Sequence, residues 1–127
     1  MRSFRLNKLI RDGVFDEMLQ RGQRPEYRRL NDNEILHALK QKILEEGKEF
    51  DHTSDKAFEE LADLLEVIEH MAEELGGDFK KLRQVQLKKR KRAGGFKKRA
   101  YVGMLHLEDD DPWVGYYAKD PERFPES

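Results

Sequence analysis

Two pairs of acids, Glu46/Glu49 and Glu60/Asp63, share a three-residue spacing that on a helix sets both carboxylates on adjacent turns of one face. Carboxylates gathered in this way repel one another, and burying an ionised one without a partner is costly. Either nearby Lys and Arg side chains neutralise them or a cation does. Helical bundles build metal sites from carboxylates projecting inward off facing helices, and two such pairs favour a divalent ion over a merely solvated acid face. The chain has no cysteine, and its four histidines are scattered. The donors are therefore all oxygen, and the expected ion is Mg2+, with Mn2+ as the alternative, rather than zinc.

This chemistry requires helices that turn the acids inward. Asn31 with Glu34 three residues on reads as a capping box, opening a helix that runs to about residue 50. With Leu39 at zero and about 100° per residue, Ile43 falls at about +40°, Phe50 at about +20° and Glu46 at about −20°, inside the apolar stripe. Glu49, at about −80°, sits at its edge. A further helix opens at Asp55, carries Phe58, Leu61, Leu65, Ile68, Ala72 and Leu75 at helical spacing, and stops at Gly76-Gly77. With Leu61 at zero, Leu64, Val67 and Met71 widen its apolar sector to about −120°, and Glu60 at about −100° lies within it. Asp63 borders that sector.

Two shorter helices flank these. Asp12 is expected to cap one through Val14, Met18 and Leu19 that ends at Gly22, and Asp78 to cap another through Leu82 and Val85 that ends before Gly94-Gly95. Residues 100–107 are expected to be extended, and the tail after Pro112 non-helical, with Trp113, Tyr116 and Tyr117 available for docking.

Eight of the twelve residues from Lys88 to Arg99 are Lys or Arg. Lys88, Arg90, Arg92, Lys97, Lys98 and Arg99 flank Gly94-Gly95, where a backbone without side chains can approach an anion. Mg2+ commonly binds through a few carboxylates together with substrate phosphates, so a cationic loop beside an acid cluster points to a polyphosphate. No G-x-x-x-x-G-K-[ST] sequence is present, which leaves a P-loop without support.

Composition bounds the remainder. The 127 residues suffice for one domain, and 40% of them are charged with a net charge of −1. Leu, Ile, Val and Phe still make up 31 residues of 127, above the roughly 20% typical of disordered chains. The acids and bases are segregated, with seven acids between Glu108 and Ser127. No apolar run reaches the length of a membrane span or a secretory h-region, so the expected location is the cytoplasm.

Glu45-Glu46-Gly47-Lys48-Glu49 followed by Glu60-Leu61-Ala62-Asp63 resembles the EExxE and ExxD signature of the all-α nucleoside triphosphate pyrophosphohydrolases. These form the MazG-like group that includes phosphoribosyl-ATP pyrophosphohydrolase. Asn7-Lys8-Leu9-Ile10-Arg11-Asp12 is similar to the amino-terminal signature of its phosphoribosyl-ATP-pyrophosphohydrolase-like branch, and Gly94-Gly95-Phe96-Lys97-Lys98-Arg99 to its carboxyl-terminal one. Ala93 stands where relatives often carry Arg. The resemblance implies an all-α, four-helix-bundle-like domain of the NTP pyrophosphatase type over residues 1–107, followed by an extended, acidic, aromatic-containing tail over 108–127. It implies Mg2+ ligands at Glu46, Glu49, Glu60 and Asp63, with Glu45 as an outer-shell helper and Glu45 or Glu49 as general base. Phosphate contacts fall to Lys88, Arg92, Lys97 and Arg99, with support from Lys8 and Arg11.

The implied reaction cleaves a nucleoside triphosphate between the α- and β-phosphates, giving a monophosphate and pyrophosphate, in a homodimer or homotetramer. Phosphoribosyl-ATP is the alternative substrate, since the carboxylates do not separate the two. A helical nucleic-acid-binding module using residues 88–99 is the alternative of another class. The acidic tail and the slightly acidic pI of about 6.4 weigh against it.

Overall fold

A computed structural model describes residues 1–127 and shows an all-α chain of five helices with no strand. The first, α1 (Asp12–Gln20), begins at Asp12 itself. Arg11 occupies the cap position and no side chain caps the helix, so Asp12 acts as a first-turn acid on the positive end of the helix dipole rather than as a cap. At the other end Gly22 adopts φ 71°, and Gln23 N–H donates to the Met18 carbonyl at 3.0 Å, closing a Schellman turn.

The capping box is present at the start of α2 (Asp32–Glu49). The Asn31 side chain accepts from Glu34 N–H at 2.9 Å, and the Glu34 carboxylate accepts from Asn31 N–H at 3.3 Å. A short connection leads to α3 (Ala57–Glu74), whose cap is Lys56 rather than Asp55. The turn from Asp51 to Ser54 takes up the residues before it: Ser54 N–H donates to the Asp51 carbonyl, and Lys56 N–H to the Ser54 hydroxyl. Gly76, at φ 84°, ends α3 in a second Schellman turn, with Gly77 N–H donating to the Ala72 carbonyl at 2.9 Å. Asp78 then caps α4 (Phe79–Ala93) by accepting from Lys81 N–H at 2.8 Å.

The chain divides into two compact units, Met1–Ala93 and Gly94–Ser127; the boundary read from sequence at 107/108 falls inside the second. In the first unit α2 and α3 form the main packed pair, and α3 also touches α4. Leu39 of α2 is 3% exposed and Val67 of α3 is 9% exposed, and these are the only buried apolar residues. Leu64 and Met71 are half-buried beside them. Thus α3 meets α2 through the sector that also carries Glu60 and Asp63. The stripe of Phe58, Leu61, Leu65, Ile68 and Leu75 is left open, with Phe58 86% and Leu75 72% exposed.

In the second unit residues 100–107 form no regular element, and the tail contains a helix that sequence reading does not expect, α5 (Val114–Ala118). Asp111 sets its entry by accepting from Trp113 N–H at 2.8 Å. Aromatic contacts then hold the turn despite Gly115: Trp113 meets Tyr116 edge-on at 5.5 Å between ring centroids, and Tyr117 meets Phe124 at 5.0 Å. These rings dock on one another, which offsets the entropy that Gly115 costs so short a helix.

Candidate functional site

The packed pair of α2 and α3 brings the charges of Glu49 and Asp63 to bear on Glu46. Glu46 is half-buried, with its side chain 15% exposed, as its place inside the Leu39 stripe requires. Its carboxyl is pushed above the ordinary carboxylate value first by burial, then by the negative charges of Glu49 on its own helix and Asp63 on α3. Lys42, one turn back, opposes that shift from 4.0 Å. A carboxylate on each of two facing helices therefore acts on one partly desolvated acid.

The fourth acid, Glu60, is half-buried but turned to another task. Its Oε2 accepts from Asp51 N–H at 2.9 Å, tying the start of α3 to the loop that follows α2. No group of three acids or histidines is gathered closely enough to hold a metal ion as the side chains stand. The donors are nonetheless oxygen only, and Glu46 is raised first by burial and then by the neighbouring carboxylates. That chemistry fits a hard dication.

Cations from the amino-terminal segment reach this face. Lys8 Nζ lies 3.1 Å from Glu45 Oε1, and Lys42 Nζ lies 3.8 Å from the same oxygen. Arg11 donates to Asp63 Oδ1 at 3.4 Å and has a second acid, Glu66, at 3.9 Å. Lys8 and Arg11 thus sit on the acid cluster as counter-ions. Glu45 is held between two ammonium groups, which fix its orientation. Beside them a cleft of about 580 Å3 opens between residues 7–9 and α2, lined among others by Asn7, Lys8, Gln41, Lys42, Glu45 and Glu49. Asn7 adopts φ 49°, in the left-handed region, where the chain turns over this cleft.

The remaining basic residues are not among these contacts. Lys88 and Arg92 are exposed near the end of α4, and Lys97 and Arg99 are exposed in the second unit. None of the four forms an ion pair. His70 bridges Glu73 and Glu74 on the surface of α3 at 3.3 and 3.1 Å and takes no part in the cluster.

Sequence reasoning misses Lys42 and the pairing of Arg11 with Asp63. Lys42 is detectable from its i,i+3 and i,i+4 relation to Glu45 and Glu46. The Arg11 contact spans 52 positions and has no local signal. Comparison of the chain with family models, with curated proteins and with solved structures gives no match.

Proposed function

We propose that this protein is a Mg2+-dependent nucleoside triphosphate pyrophosphohydrolase that cleaves between the α- and β-phosphates, in the manner its signature residues suggest. The observation that carries the reading is Glu46: a half-buried acid on α2 whose ionisation is opposed by Glu49 and by Asp63 across the helix pair. Such an arrangement is unfavourable for the chain alone and becomes favourable with a dication between the acids. Glu46, Glu49 and Asp63, joined by Glu60, are the residues that would hold Mg2+. When bound, the ion supplies charge neutralisation and polarises phosphoryl oxygens.

The chain's own residues account for the other requirements. Glu45, positioned between Lys8 and Lys42, or Glu49, which lines the adjoining cleft, accepts the proton of the attacking water. Lys8 lies on a segment without regular structure and Arg11 at the cap position of α1, each with its side chain exposed. They are free to move from carboxylate to phosphate as negative charge arrives with the substrate, and there to stabilise the leaving pyrophosphate. Asn7 and Gln41 supply neutral hydrogen-bonding groups along the cleft for the nucleoside.

The open stripe of α3 supports assembly of identical chains. Leu61, Leu65 and Ile68 form a contiguous exposed apolar face, of the kind that a self-associating surface covers. A homodimer or homotetramer would bury it.

The test is pyrophosphate release, measured with Mg2+ across a panel of canonical and modified nucleoside triphosphates and phosphoribosyl-ATP. Metal-dependent release that disappears in Glu49→Ala is expected. Turnover unchanged in that variant removes Glu49 from the chemistry, and no release from any substrate defeats the reading. Preference for phosphoribosyl-ATP would place the protein in histidine biosynthesis rather than in nucleotide-pool cleaning.

A further inference from the structure

Helix α4 carries eight Lys or Arg and no acid in its 15 residues. None of the eight forms an ion pair, and only Arg83 has a side-chain partner, Gln86 at 2.6 Å. The near-zero charge of the whole chain hides this, because the acids lie on other helices, in the connections and from Glu108 onward. Like charges three and four residues apart, such as Lys88 with Lys91 and Arg92, each destabilise a helix by a few tenths of a kcal/mol. A polyanion would reverse that term.

The angular distribution of these cations says which polyanion. With Lys80 at zero and about 100° per residue, Arg90 falls at about −80°, Arg83 at about −60°, Lys91 at about +20°, Lys88 at about +80°, Lys81 at about +100° and Arg92 at about +120°. Seven of the eight cations therefore fill an arc of about 200°, and Lys89, at about 180°, lies outside it beside Leu82. Leu82, the one residue of α4 that is not exposed, lies on the opposite side, where α4 meets α3. A flat anionic membrane meets a narrow stripe of a helix, bordered by an apolar face that enters the lipid. Cations spread over more than half of the circumference need a partner with negative charge on two walls. A helix is about 10–12 Å across, and the major groove of B-DNA is about 12 Å wide between its phosphate backbones.

We propose that α4 is a binding face for the phosphate backbones of duplex DNA, engaged by Lys80, Lys81, Lys88, Lys91 and Arg92 without reading of base sequence. Lys88 and Arg92 are shared with the phosphate contacts that the family resemblance implies, whereas Lys80, Lys81 and Lys91 have no part in the carboxylate site and separate this activity from phosphohydrolysis.

Fluorescence anisotropy of the full chain with a labelled 20-base-pair duplex of mixed sequence tests it. Five neutralised phosphates give a salt slope of about −4.5, so affinity should fall about 500-fold between 50 and 200 mM salt. The Lys80→Gln/Lys81→Gln/Lys91→Gln variant should lower the steepness of that slope by about 2.7. The charge-conserving Lys80→Arg/Lys81→Arg/Lys91→Arg variant should keep it, and Asp63→Asn should bind as the native chain does. Circular dichroism of both triple variants confirms that helix content is kept. Absence of binding at 50 mM salt, an unchanged slope in the Gln variant, or loss of binding in the Arg variant overturns the proposal. So does tighter binding to duplex RNA of the same sequence or to phosphatidylserine vesicles at equal salt.

Discussion

Replacing Asp63 by Asn separates the two things this carboxylate does. Its contact with Arg11 is 3.4 Å long, and both side chains are about half exposed (54% and 46%). Such a pair contributes at most about 1 kcal/mol to stability. Loss of the Asp63 charge also relieves Glu46, whose ionisation it opposes, so the two effects run in opposite directions. The net change in unfolding free energy should lie within about 1 kcal/mol of zero. Response to Mg2+ is a different matter. At ten times its dissociation constant, an ion that binds only the folded chain adds about 1.4 kcal/mol, or about 5 °C in Tm for 127 residues. Asp63→Asn should abolish most of that rise and lower kcat/KM for pyrophosphate release at least about 100-fold, about 2.7 kcal/mol of barrier. Differential scanning fluorimetry with and without Mg2+, beside the release assay, reads both quantities. A Mg2+-dependent rise in Tm as large in the variant as in the native chain would refute the assignment of Asp63. A loss of more than about 3 kcal/mol without Mg2+ would mark the residue as structural instead.

Four other outcomes are expected. Burial and the charges of Glu49 and Asp63 raise the Glu46 carboxyl, so the folded chain loses stability as pH rises from the unfolded pKa through the raised folded one. Glu46→Gln should remove that loss and gain on the native chain between urea melts at pH 4 and pH 8. Hydrogen bonds from Arg28 and from Asn31 N–H lower the Glu34 carboxyl; its stabilisation holds above the unfolded pKa and disappears as pH falls through the folded one, and Arg28→Ala should return the NMR-titrated Glu34 toward its ordinary value. Asn31→Ala removes the capping box of α2 and should cost about 1 kcal/mol in chemical denaturation. Leu61→Lys/Leu65→Lys should convert an oligomer to monomer in light scattering while leaving helix content unchanged.

The parts of the structure legible in sequence are those with a local cause. The capping box at Asn31 and Glu34, the glycine stops at Gly22 and Gly76, and the angular place of Glu46 beside Leu39 all depend on residues within two turns of one another. What was not legible depends on distance or on a choice between equivalent faces. The apolar sector of α3 reads as one broad face in the sequence, and only the packing of α2 shows that Val67 lies inside while Leu61 and Leu65 lie outside. Arg11 lies 52 positions from Asp63, so nothing near it announces the pairing. In the tail, Gly115 and the flanking prolines argued against a helix, but the mutual packing of Trp113, Tyr116, Tyr117 and Phe124 outweighed them. In the acid cluster the residue types and spacing were readable. That Glu60 would spend one oxygen on the Asp51 amide was not.

The Schellman turn at Gly76 and Gly77 aims α4, and Leu82 alone anchors it by burial. A helix of 15 residues lies near the lower limit at which helices persist in water without support. Its packing support is therefore concentrated in its first turn, and the turns around Lys88–Arg92 bury nothing. The most cationic turn is thus also the one whose backbone is cheapest to reshape, so whatever settles there can mould the peptide to itself without disturbing the pair of helices behind it.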